Sequence, residues 1–338
     1  MEVEKLYEKI KNLAFSQYRF VLRAVNKILL PPFSGKTLRG ALGWALRKIC
    51  CPKEKINEKC ELCSDFQKCP YPYLFKARLP TNHPSFFRKF QDPPPPYIFS
   101  DFPALSLLFP GEVFSFKFTL VGEGMEFLPL FLLAVQKMGE MGLGKTQGHF
   151  RVEGLEILYP DGSGEEIFPR EKGNLKSKKV LFKCEDFFKF NFTCNQVTLN
   201  FFTPLRLFTS IRGSTQKEMR ANKTLILRPE FSVLSSRIFE RAFLLSLYYC
   251  QGKNEIDPEM VFLKDVCSQV KIKECSLRPV FSPGEKNGGV IGEIVYEGEL
   301  TPFLPLLKLG EFLHLGKEAS FGFGAYSLAI RRKPLPGT

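Results

Sequence analysis

The strongest constraint on what this chain can fold into is that it repeats itself. Phe127-Leu128-Pro129-Leu130 recurs as Phe303-Leu304-Pro305-Leu306, and Leu143-Gly144-Lys145 recurs in the same order as Leu315-Gly316-Lys317. The first copy is longer between these anchors by about one helical turn. Two ordered matches, each lying between strand-like segments, point to a duplicated unit.

Hydrophobic periodicity gives each copy the same content. In the first, Tyr18 to Val25 is β-rich and ends before Leu30-Pro31-Pro32. Ser34 then caps a helix that buries Leu38, Leu42, Ala45, Leu46 and Ile49 and turns Lys36, Arg39, Gly43 and Arg47 to a basic face. Val113 to Leu120 alternates strictly, Phe127 to Gly139 is an apolar helix, and Phe150 to Leu158 is a strand. In the second copy, Val197 to Leu207 and Val290 to Leu300 read as strands, and Phe231 to Tyr249 and Phe303 to Leu313 as helices. Ala325 to Ile330 closes it as a strand. If a strand is hidden in the irregular middle between Cys50 and Pro110, where Pro93 to Pro96 must be extended, the order is βαββαβ. The expected fold is therefore α+β: two tandem ferredoxin-like domains, the arrangement that also underlies the RNA-recognition module. Expected boundaries are an N-terminal domain over 1–160 with a cysteine-rich insert at 50–79, a linker and irregular segment over 161–194, and a C-terminal domain over 195–338 with a glycine-rich loop at 315–324. Ile211 to Lys223, with Arg212, Lys217, Arg220 and Lys223, reads as a mobile basic loop.

Charge narrows the class of partner. Lys and Arg total 48 against 35 Asp and Glu, a formal charge of +13, which favours a polyanion. Met1 to Asn12 is charged rather than apolar, and no apolar run approaches the ~20 residues of a membrane span. A soluble, cytoplasmic protein with no membrane partner is expected.

The loop His314-Leu315-Gly316-Lys317-Glu318-Ala319-Ser320-Phe321-Gly322-Phe323-Gly324 has the composition of an anion cradle, because glycines let a tight backbone aim several N–H groups at one point. It follows a helix and precedes a strand, the reverse of a dinucleotide fingerprint, and it contains no P-loop motif. Five of the ten cysteines fall between Cys50 and Cys69. Cys60-x-x-Cys63, Cys69 and Cys51 (or Cys50) have the spacing of a structural zinc site; an iron–sulfur cluster and reduced thiols are the alternatives.

Four motifs carry a resemblance over nearly the whole chain. They are Leu30-Pro31-Pro32-Phe33-Ser34-Gly35-Lys36-Thr37-Leu38-Arg39-Gly40-Ala41; Cys60-x-x-Cys63 followed by Cys69-Pro70-Tyr71-Pro72-Tyr73-Leu74-Phe75; Thr203-Pro204-Leu205-Arg206-Leu207; and His314-Leu315-Gly316-Lys317 with Phe321-Gly322-Phe323-Gly324. Together they resemble CRISPR-associated RAMP proteins that process precursor crRNA, in the branch with a cysteine-containing insert. The resemblance implies an endoribonuclease that binds CRISPR repeat RNA and needs no metal for catalysis. A 2′-hydroxyl attacks the adjacent phosphate, leaving 2′,3′-cyclic phosphate and 5′-hydroxyl ends. The other reading is a non-catalytic RAMP subunit that binds crRNA inside an effector complex with other CRISPR proteins.

Family members often carry a catalytic His near the first helix, whereas the histidines here are His83, His149 and His314. His314, directly before the glycine loop, is the candidate acid–base residue. Lys36, backed by Tyr18, is the alternative source of charge stabilisation. Phosphate contacts are expected from Gly316, Lys317, Ser320, Gly322 and Gly324, with Arg39, Lys145, Arg206, Arg237 and Arg241 adding positive charge.

Overall fold

The computed structural model describes residues 2–52, 55, 59–75, 93–102, 107–171, 173–188, 192–209, 224–250, 267, 269–281 and 288–333. His83 and the basic stretch 211–223 lie outside the described residues. The chain divides into two compact units: Asn12–Lys183 with Leu244–Asn254, and Met1–Lys11 with Cys184–Phe243 and Glu255–Thr338.

The first unit is built on β1 (Ala14–Ala24), α1 (Gly35–Cys50), the short α2 (Pro70–Phe75), β2 (Tyr97–Ser100), β3 (Val113–Val121), α3 (Leu128–Met141), β4 (Phe150–Leu158) and β5 (Gly164–Pro169). Its sheet runs β2-β3-β1-β4-β5 with every pairing antiparallel, and β2-β3-β1-β4 is the ferredoxin-like order. The hidden strand is β2. All four of its residues are buried, so it shows no alternation, and it starts directly after Pro93–Pro96. Alternation in β3 sends Phe114, Phe116 and Phe118 inward. There Phe116 stacks on Phe20 at 5.1 Å, and Phe118 meets Phe131 of α3 edge-on at 4.9 Å.

The second unit repeats the plan with β6 (Thr193–Leu205), α4 (Phe231–Tyr249), β7 (Lys271–Cys275), β8 (Gly289–Glu297), α5 (Leu304–Leu313) and β9 (Tyr326–Lys333). Sheet order is β7-β8-β6-β9, again antiparallel. Phe231 contacts both Tyr296 and Phe303 at 5.2 Å, tying α4 to the sheet and to the turn that opens α5.

Three expectations change. Residues 161–194 are no simple linker: β5 extends the first sheet, and Phe182–Lys183 pairs with Ala14–Phe15. Ser34 stands at the N-cap of α1 but makes no side-chain cap hydrogen bond, its backbone already being helical (φ −74°, ψ −6°). Ile49 is 38% exposed rather than core. Among the described residues, no helix is long and apolar enough to cross a membrane.

Candidate nucleic-acid interface

The loop after α5 is closed by its own backbone. His314 takes φ +59°, Gly316 +86°, Glu318 +63°, Gly322 +88° and Gly324 +66°, so the chain turns repeatedly through the left-handed region between helix and strand. The Leu315 amide donates to Gly324 O (3.2 Å), Lys317 to Arg206 O (3.0 Å), Gly322 to Ala319 O (2.9 Å) and Gly324 to Pro204 O (3.0 Å). Thr203 staples the far side: its hydroxyl donates to Gly322 O and accepts from the Ala325 amide, both at 2.8 Å. The amide cradle is therefore corrected. The N–H groups of Gly322 and Gly324 bond to protein carbonyls and do not face an anion.

The charged groups sort in the same way. Arg206, only 5% exposed, forms an ion pair with Glu318 and lies over the Phe323 ring at 4.4 Å, so it locks the loop instead of meeting phosphate. Arg241 Nε donates to Leu313 O (2.6 Å) and its terminal nitrogen to Ser320 Oγ (3.2 Å), and Ser320 is itself buried. Both residues belong to the support of the loop. Arg237 is on the surface, paired with Glu240 at 2.7 Å. His314 is 2% exposed, so its imidazole does not meet a phosphate outside the loop in this arrangement. From His314 to Gly324 the exposed side chain is Lys317, whose ammonium sits over Phe208 at 5.2 Å.

The first unit holds a counterpart. Lys145 donates its amide to Leu29 O at 3.1 Å, as Lys317 does to Arg206 O, and Gly144 (φ +74°) corresponds to Gly316. An added Cβ on Gly144 would stand 2.2 Å from Leu29 O, and one on Gly316 2.8 Å from Arg206 O. Each glycine is needed for the close approach of its loop to the segment that follows the first strand of its unit. Thr146 completes the first dock, accepting from Leu29 N (3.0 Å) and donating to Lys27 O (2.9 Å). Lys145, like Lys317, is left exposed.

Lys36 is half-buried in the first turn of α1. Tyr18 is not beside it as an accessible phenol: at 2% exposure it is core, and burial pushes its hydroxyl pKa up. The expected basic face of α1 is partly covered. Arg39 lies over Phe75 at 4.9 Å and Arg47 over Tyr71 at 5.6 Å, and an added Cβ at Gly43 would stand 3.1 Å from the Phe75 ring. The open face of β1 carries Gln17, Arg19, Val21 and Arg23 rather than stacking aromatics. Arg19 pairs with Glu156 (2.8 Å) and Arg23 with Glu153 (3.5 Å).

Cys51, Cys60, Cys63 and Cys69 do gather at α2. Burial raises the Cys69 thiol, and Cys51, Cys60 and Cys63 beside it push it further in the same direction. Among the described residues, however, no group of three or more His, Cys, Asp or Glu is arranged to hold a metal ion. None of the four is in a disulfide.

Sequence reasoning missed Glu318 and the role of Thr203. The signal for both was the motif Thr203 to Leu207 itself, which supplies the staple and the loop's buried cation.

Comparison with known proteins places this geometry. Residues 13–180 match a family model described as an N-terminal domain (AF_1859_N), and residues 199–326 match the model of the CRISPR-associated endoribonuclease Cas6. An uncharacterized protein of Archaeoglobus fulgidus is 23% identical over 308 residues, 88% of this chain and 92% of its own length. Among solved structures, a Cas6 product complex aligns with TM-score 0.56 at 15% identity, covering 93% of this chain and 100% of that one. Thermus thermophilus Cas6 aligns with TM-score 0.51 at 12% identity over 94% and 99%. A partial Cas6-RT-Cas1-Cas2 complex aligns with TM-score 0.60 at 12% identity, covering 96% of this chain and 47% of the longer one. At these identities the likeness is one of fold.

Proposed function

We propose that this is a CRISPR-associated protein of the Cas6 type that binds CRISPR repeat RNA and cleaves precursor crRNA, a reading supported by the match of residues 199–326 to the model of the CRISPR-associated endoribonuclease Cas6. The observation that carries this reading is the pair of glycine loops. Each directs its lysine amide inward to a carbonyl, at 3.1 Å for Lys145 and 3.0 Å for Lys317, and leaves that lysine residue at the surface. A rigid backbone presenting one cation suits a phosphate, whose affinity is electrostatic and salt-dependent.

The proposed reaction is transesterification. The 2′-oxygen bonds to phosphorus as the bond from phosphorus to the 5′-oxygen breaks; a proton leaves the 2′-hydroxyl and one is delivered to the 5′-oxygen. Lys36, in the first turn of α1, is the residue best placed to stabilise the charge that builds on the phosphoryl oxygens, because α1 has no acidic residue in that turn and its dipole adds positive potential there. Solved relatives described as a product complex and as part of a Cas6-RT-Cas1-Cas2 complex support RNA handling and a place among CRISPR proteins.

The burial of His314 and Tyr18 favours a second reading, a crRNA-binding subunit without cleavage. Incubating end-labelled repeat RNA with the protein in excess EDTA separates the two. Cleavage that is abolished by a 2′-deoxy substitution at the scissile nucleotide and reduced in Lys36→Ala supports the enzyme. Tight binding with no cleavage supports the subunit.

A further inference from the structure

The chain has one tryptophan, Trp44, and it is 52% exposed on α1. A large aromatic ring in water on a helix whose other face is packed is a poor contribution to folding and a common one to binding. Its surroundings are specific. Lys36, Gly40, Trp44 and Lys48 recur at i, i+4 spacing and so form one straight stripe, with Arg47 alongside. The guanidinium of Arg47 lies 6.0 Å from the Trp44 ring centroid, and Lys48 is exposed. Across Gly35–Cys50 there are four cations and no carboxylate. At Gly40 an added Cβ would meet nothing within 4 Å, so the floor of the stripe between Lys36 and Trp44 is open. From Lys36 to Lys48 the stripe is about 18 Å long at the helical rise.

From this we infer that the outer stripe of α1 is a single-stranded RNA track, in which Trp44 stacks on an unpaired base while Lys36 and Lys48 contact phosphates on either side. The inference rests on the proposed RNA-binding function and adds where, and in what form, part of the RNA is held. Charge complementarity selects the occupant. A protein partner would need an acidic, apolar patch, whereas single-stranded RNA supplies regularly spaced phosphates and exposed base faces together. The open face of β1 carries no aromatic for this work, whereas α1 presents Trp44 beside two lysines.

The test uses the full chain. Because Trp44 is the sole tryptophan, its emission reports this stripe alone. Titration with a 12-nucleotide oligo(U) and with repeat RNA should quench it. In polarisation assays with labelled oligo(U), Trp44→Ala should weaken binding by about 5- to 150-fold and Trp44→Phe by less. Lys48→Ala should lower the slope of log affinity against log salt by about 0.7. Circular dichroism melts that match wild type show that the exposed substitution left the fold intact. RNA binding with unquenched Trp44 and an unchanged Trp44→Ala affinity overturns the track while leaving the RNA-binding function standing. Absence of salt-dependent RNA binding by the wild type overturns both. Loss of a protein partner by Trp44→Ala with RNA affinity unchanged assigns the stripe to that partner and refutes the inference.

Discussion

Gly324→Ala tests whether the glycine loop is the closed knot that its hydrogen bonds describe. The residue sits at φ +66°, and an alanine Cβ there would stand 1.8 Å from Leu315 O, where ordinary contact begins at 3.4 Å. A left-handed alanine costs roughly 1–2 kcal/mol. The overlap is with backbone, which cannot rotate away, so the two strands of the loop must part. Parting them breaks the Leu315 to Gly324 bond (3.2 Å) and the Gly324 to Pro204 bond (3.0 Å), at about 0.5–1.5 kcal/mol each. The sum is ~2–5 kcal/mol, which at ~2–4 °C per kcal/mol lowers the melting temperature by about 10 °C. Thermal unfolding followed by far-ultraviolet circular dichroism measures it. The displaced loop carries Lys317 with it, so RNA affinity should fall in the same variant. A drop of less than about 3 °C would refute the reasoning, since it would mean that the loop accommodates a side chain where the backbone leaves no room.

Other substitutions probe neighbouring claims. Arg206→Ala removes the buried partner of Glu318 and the cation over Phe323; it should destabilise by about 2–4 kcal/mol, less than a fully buried pair because the Glu318 side chain is 30% exposed, and Arg206→Lys should not restore the loss in a urea melt. Gly40→Ala places a methyl group in open space inside α1, so it should stabilise by about 0.5–1 kcal/mol in the same assay. Burial, with Cys69 and Cys51 beside it, pushes the Cys50 thiol from 9.0 up to about 11. Its alkylation, followed by mass spectrometry, should therefore rise only as pH approaches 11, and the stability gained from keeping the neutral thiol should be complete below pH 9 and lost as pH climbs to 11. Alkylation of Cys50 at the rate of a free thiol at pH 8 would contradict that environment.

What could be read in the sequence was what depends on neighbours along the chain. The helix over Phe231–Tyr249, the alternation of Val113 to Leu120 and the paired Phe-Leu-Pro-Leu and Leu-Gly-Lys anchors are short-range patterns, and they revealed the repeated plan, although the edge strand Lys271–Cys275 of the second unit was not read from them. The strand Tyr97–Ser100 was inferable only because the topology required it, since a strand buried on both faces has no periodicity to show. The site was legible as residue types and not as roles. Arg206, Arg241 and Ser320 look like phosphate ligands in a one-dimensional reading, yet their partners Glu318 and Leu313 lie far from Arg206 and Arg241 in sequence. The loop glycines promised free amides because composition records a backbone's freedom to turn and not where its N–H groups end. By itself the sequence determined the elements, their order and the supply of cations. Only the tertiary structure decided which cations, like Arg206 and Arg241, are held by partners from distant segments and which, like Lys145 and Lys317, lie at the surface. A hydrogen bond or ion pair between distant segments is set by three-dimensional proximity, and no local pattern encodes it.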